Sequence, residues 1–105
     1  MTNDKFIAKA AKAIGDGNRL RILREIASKG SITATQAQQL TNLAQPSVSH
    51  HIKLLTNSEL VDAHKSGRTV NLLLNQERMK EFTDFFGRLG SKSDDEPRFE
   101  GGLGN

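Results

Sequence analysis

The sequence predicts a mainly α fold with a small β-hairpin, on three observations. Runs of apolar residues recur at helical spacing through the first half of the chain. Two alternating runs then meet at Ser66-Gly67, as in a hairpin. A Phe-rich helical run follows, from about Gln76 to Leu89. Four helices, a two-stranded hairpin and a fifth helix, in that order, make a winged helix-turn-helix.

The first helix is expected over about residues 4–15. Phe6, Ile7, Ala10, Ala11 and Ile14 form its apolar stripe, with Lys5, Lys9 and Lys12 between them. Gly15-Asp16-Gly17-Asn18 breaks it, and Asp16 or Asn18 can cap the next helix. That second helix runs from Arg19 to about Ser28. Leu20, Leu23, Ile26 and Ala27 are expected on its buried face, with Ile22 supporting Ile26. Gly30 suits its C-terminal stop. The third helix is short and polar. Thr35 with Gln38 fits a capping box, and Thr33 with Gln36 fits the same pattern two residues earlier. Ala37, Leu40 and Leu43 are its expected buried contacts.

Only a few residues separate it from the fourth helix, so the two must cross steeply. Leu60–Lys65 and Arg68–Leu74 read as strands, with Val61 and Ala63 alternating on one and Val70, Leu72 and Leu74 on the other. In the last helix Met79, Phe82, Phe86 and Leu89 repeat at helical spacing, and Phe85 widens the stripe.

The 105-residue length favours one small domain, and 35% hydrophobic content makes a marginal monomeric core. The net charge is +3. It is unevenly spread. Residues 1–90 hold 13 Lys and Arg against 8 Asp and Glu, a net of +5, and the remainder is acidic. The expected organisation is therefore a basic folded domain over 1–90 and a disordered acidic, Gly-rich tail over 91–105. The absence of cysteine excludes disulfides, thiolate metal sites and cysteine redox sensing. No signal peptide or membrane span is read, so the expected location is cytoplasmic and no membrane partner is expected. No catalytic triad, phosphate loop or cofactor motif occurs, so neither an enzyme nor a cofactor is expected.

The fourth helix carries the sharpest signal. Val48, Ile52 and Leu55 line one side. Ser47, Ser49, His50 and Lys53 point mostly the other way, and Gln45 stands at the helix start. That second face has donors and no carboxylate, which suits a DNA groove. His51 flanks the buried side and is expected to be partly buried and structural. Adjacent His50 and His51 diverge on a helix, so no metal site is expected from them with His64. Lys65 and Arg68 at the hairpin tip are expected to contact phosphates or the minor groove. The aromatic surplus of the last helix exceeds what so small a core needs. Phe6, Ala10, Ile14, Met79, Phe82, Phe85, Phe86 and Leu89 are therefore the expected homodimer interface, and a symmetric dimer would read a palindromic double-stranded DNA operator. The competing reading is a winged-helix protein-interaction module without DNA binding. Lys53, Lys65, Arg68 and the acid-free face favour DNA.

Three segments then carry a family resemblance. Ile14-Gly15-Asp16-Gly17-Asn18-Arg19-Leu20-Arg21-Ile22-Leu23 looks like the "LGDPTRLRIL" helix start of the ArsR/SmtB family of winged-helix repressors. Gln45-Pro46-Ser47-Val48-Ser49-His50-His51-Ile52-Lys53-Leu54-Leu55 resembles its "QPAVSHHLKVL" recognition helix, and Ser58-Glu59-Leu60-Val61 its "AGLV". The resemblance covers most of residues 5–90. It implies a homodimer, paired through the first and last helices, that represses transcription at an operator until a signal releases it. The departures concern metal. The family's metal sensors carry a cysteine motif on the third helix or an Asp-x-His and His-x-x-Glu pattern on the last. Thr33–Leu40 and Gln76–Leu89 hold neither cysteine nor histidine. A repressor of this type that does not sense metal is expected, and no pattern in the chain identifies its inducer. Ala44 also stands where the family usually has Ser at the helix cap.

Overall fold

The computed structural model describes residues 3–91, so the expected tail over 91–105 lies, apart from Ser91, outside the described residues. The elements are α1 (Asp4–Ile14), α2 (Gly17–Lys29), β1 (Ile32–Thr33), α3 (Ala34–Thr41), α4 (Gln45–Asn57), β2 (Val61–Ser66), β3 (Thr69–Leu74) and α5 (Gln76–Ser91). The fold is the expected one, five helices with a small antiparallel hairpin. The short strand β1 adds to it. Ile32 pairs with Leu72 and Thr33 with Asn71, so the sheet order is β1-β3-β2. A two-residue strand has no alternation to detect, which is why periodicity passes over it.

Local chemistry sets most boundaries. The Asp16 carboxylate accepts the Arg19 backbone N–H at 3.0 Å and starts α2. Gly30, at φ +87°, ends it with its N–H on the Ile26 carbonyl. Of the two capping boxes the sequence allows, Thr33 with Gln36 forms. The Thr33 hydroxyl accepts the Gln36 N–H at 3.0 Å, and the Gln36 side chain accepts the Thr33 N–H at 2.8 Å. Thr35 lies inside the helix, since pairing of Thr33 in β1 holds that residue extended, as a cap must be. Asn42 closes α3 in the left-handed region, at φ 56°. The Asn75 side chain accepts the Arg78 N–H at 3.0 Å and caps α5.

Ile22, Ile26, Ile32, Leu55, Leu60 and Leu72 are fully buried where α2, α4 and the sheet meet. Three expectations about faces are corrected. Leu20 and Ala27 are exposed, because the buried arc of α2 centres on Ile22, Leu23 and Ile26. Leu20 lies about 160° and Ala27 about 140° around the helix from Ile22. Ala63 is exposed, because β2 is an edge strand that leaves the helical layer after Val61. The tip of the hairpin is Gly67-Arg68, one residue later than Ser66-Gly67, since Ser66 still pairs with Thr69. Gly67 has φ +62° and Arg68 does not have a positive φ, the pattern of a type II′ turn. Leu40 and Leu43 are half-buried, and Ala37 is fully buried. Among the described residues no helix is long and apolar enough to cross a membrane.

Candidate nucleic-acid interface

Asn42, Leu43 and Ala44 alone connect α3 to α4. Val48 and Leu55 anchor α4 in the core and Ile52 is half-buried. This anchoring turns the opposite face out. Gln45, Ser47, Ser49, His50 and Lys53 are all exposed. No Asp or Glu occurs anywhere in α4, so the face offers donors to an anion with nothing to repel it. Ala44 caps α4 through its backbone only, and Pro46 in the first turn presets the helical φ.

A small groove of about 70 Å³ runs between α3 and α4, lined on one side by Thr35 and Gln38 and on the other by Gln45 and Ser49. Thr35 was not expected there. Its hydroxyl is free of the capping role that Thr33 fills, and the rival capping patterns are the signal that could have found it.

The base of the hairpin packs on α4. Lys65 and Arg68 are exposed near its tip, Lys65 paired in register with Val70 and Arg68 in the turn itself. His64 is exposed on β2, opposite Asn71.

His51 behaves differently from His50. Its side chain is 15% exposed. Its Nδ1 lies 3.0 Å from the Arg19 guanidinium and 3.7 Å from the Asp16 carboxylate. Arginine only donates, so Nδ1 accepts and the neutral ring carries its proton on Nε2. The Arg19 Nε also donates to the Ala13 carbonyl, so one side chain ties α1, α2 and α4 together. The Asp16 carboxyl is held below its ordinary value, first by the Arg19 backbone N–H and, after the opposing cost of burial, by the positive charge of Arg19. Among the described residues no group of three His, Cys, Asp or Glu side chains is placed to hold a metal ion.

The residues expected at a dimer interface divide in two. Ala10 is fully buried and Phe82 is 7% exposed, so both belong to the chain's own core and have almost no surface left for a partner. Phe82 meets Phe6 edge-on at 6.5 Å, and the Arg78 guanidinium stands 4.5 Å above the Phe6 ring. Phe6, Ile14, Met79 and Phe85 are half-buried. Phe86 and Leu89 are 46% and 61% exposed, a large apolar surface to leave in water.

Comparison with known proteins bears on the fold and the family. A helix-turn-helix domain family matches residues 14–64. The transcriptional repressor SdpR of Bacillus subtilis is 28% identical over 85 residues, 81% of this chain and 93% of the relative. The arsenical resistance operon repressor of Staphylococcus xylosus is 34% identical over 73 residues, 70% of this chain and 69% of the relative. Among solved structures, the crystal structure of an ArsR family transcriptional regulator superposes with a TM-score of 0.81 at 20% identity, covering 91% of this chain and 98% of that one. The homodimeric winged helix-turn-helix DNA-binding domain of a possible ArsR-family regulator from Mycobacterium bovis gives 0.66 at 20% identity, covering 91% and 87%. These two likenesses carry the fold. The sequence relatives and the recognition-helix motif carry the family: the chain belongs to the ArsR/SmtB family of winged helix-turn-helix transcriptional regulators.

Proposed function

We propose that the chain is a homodimeric repressor that reads a palindromic DNA operator and does not respond to metal. The carrying observation is the α4 face of Gln45, Ser47, Ser49, His50 and Lys53, wholly exposed and free of acids on a helix whose other side is buried. In this reading those side chains enter the major groove, and Thr35 adds a hydroxyl from the neighbouring helix. Lys65 and Arg68 take phosphates or the adjacent minor groove. The repressor role is supported by the names of the two sequence relatives. The dimer is supported by the exposed Phe86 and Leu89 and by the homodimeric structural neighbour. Pairing would bury these two side chains together with the half-buried Phe6, Ile14, Met79 and Phe85, and would set two recognition helices about one turn of DNA apart. The lack of metal response rests on the donor set, which has no cysteine and no histidine on α3 or α5.

The test is a fluorescence titration with DNA from upstream of the chain's own gene and with mixed-sequence DNA, each at two salt concentrations. Tighter binding to the upstream DNA, weakening steeply with salt, is the expected result. No binding to either DNA at low salt would leave the protein-interaction module as the better reading.

A further inference from the structure

A cleft of about 260 Å³ lies away from the DNA-reading face, between α1, the start of α2 and the end of α4. Lys9, Lys12, Ala13, Arg19, Leu54 and Asn57 line it. Three of the six are cations, drawn from two helices, and none is an acid. Among the described residues neither lysine forms an ion pair, although other lysines do, Lys29 with Glu25 and Lys80 with Asp84. Asp16 accepts the Arg19 backbone N–H and feels the Arg19 charge, but it does not line the cleft. The floor is apolar, with Ala13 buried and Leu54 half-buried, and the Asn57 amide adds a neutral donor.

We infer that this cleft binds a small organic monocarboxylate, and that binding weakens the hold on DNA. The inference rests on the proposed regulator role. The three cations would hold one carboxylate by charge-assisted hydrogen bonds. The floor would hold a compact apolar body. A free inorganic anion, hydrated on all sides, would gain nothing from that floor. The volume lies just under the lower end of ligand pockets, roughly 300 Å³, so the ligand is small. Arg19 supplies the route to DNA. It is both a wall of the cleft and the partner of His51 on the recognition helix. A carboxylate beside Arg19 draws the guanidinium away from the His51 Nδ1 and loosens that end of the α4 seat. The cleft shares no residue with the proposed reading face, so ligand and DNA need not compete for one site.

Benzoate is the probe, titrated into the full chain without DNA at constant ionic strength and followed by backbone amide NMR. Saturable binding of one benzoate per chain is expected, with shifts at Ala13, Leu54 and Asn57. Benzyl alcohol, the same ring without the charge, should bind at least about tenfold more weakly. Lys12→Gln should weaken benzoate by about tenfold, and Lys29→Gln, which removes a charge outside the cleft, should not. Saturating benzoate should then lower wild-type affinity for the upstream DNA by about threefold or more, with little effect in Lys12→Gln. Equal binding of benzoate and benzyl alcohol, an unaltered Lys12→Gln, or bound benzoate without effect on DNA affinity would each overturn the inference. So would a Lys12→Gln loss of DNA affinity and salt slope in a chain that takes no benzoate, which would make the cleft a phosphate contact. Failure of the wild type to bind DNA counts against the regulator reading and hence against any effector role, while the DNA-free titration still decides whether the cleft takes the anion.

Discussion

His50 and His51 are neighbours in sequence with opposite surroundings. The first is exposed on the acid-free face of α4, and the second is tied to Arg19. The 3.6-residue period makes that divergence legible, since adjacent side chains stand about 100° apart. The partner of His51 was not legible, because Arg19 lies 32 residues away in the chain. In the proposed interface His50 and Arg68 should fail differently. Arg68→Ala should weaken upstream and mixed DNA by similar factors and reduce the salt slope by about one unit. His50→Ala should lower the ratio between the two DNAs, by about 1–3 kcal/mol at one base position if the contact is direct. Titrations of both variants on both DNAs at several salt concentrations separate these outcomes, and two variants with wild-type affinity and selectivity would reassign the reading face. Asp16 carries a pH prediction. Its folded carboxyl is depressed below the model-compound value of 3.8, so its charge contributes stability above that pH. The contribution is lost as pH falls through the lower folded value. Asp16→Asn keeps a capping side chain without the charge. Melts should therefore show the variant less stable than the wild type at neutral pH and the gap closing in strong acid.

At the scale of elements, the helices follow from patterning and caps, and the errors come from rivals of equal local merit. Two capping boxes fit α3 by sequence, and β1 pairing selects Thr33 over Thr35. Thr33→Ala should cost about 1 kcal/mol in chemical denaturation, and Thr35→Ala only a few tenths. Equal losses would mean that the helix starts at both places. Ala44 leaves the first N–H groups of α4 without a side-chain cap, though its backbone is already extended, with ψ 151°. Ala44→Ser should therefore stabilise the fold by about 0.5–1 kcal/mol in the same assay. The hairpin turn shifted by one residue for a related reason. Ser66-Gly67 and Gly67-Arg68 both place glycine in the turn, and only the register of Ser66 against Thr69 chooses between them.

For the whole molecule, the proposed dimer rests on the exposed apolar surface of α5. Phe86→Glu should place a charge in the proposed interface and convert the dimer to monomers, read by sedimentation at micromolar concentration. An unchanged dimer would relocate the interface, and a monomeric wild type would remove it. Zn²⁺, Cd²⁺ or As(III) added to the purified chain should leave DNA affinity nearly unchanged. A stoichiometric, submicromolar complex that releases DNA would reverse the metal prediction. The sequence by itself determined the fold class, the order of the helices and hairpin, the polar face of α4 and the family, because each is written in short-range periodicity, in turn chemistry or in a contiguous motif. Only the tertiary structure decided that Ala10 and Phe82 serve the chain's own core while Phe86 and Leu89 stay exposed. Apolar composition marks a residue for burial without saying against which surface. The tertiary structure alone also brought Lys9, Lys12 and Arg19 together with Leu54 and Asn57, since a cleft built from three helices depends on their packing and leaves no local period in the chain.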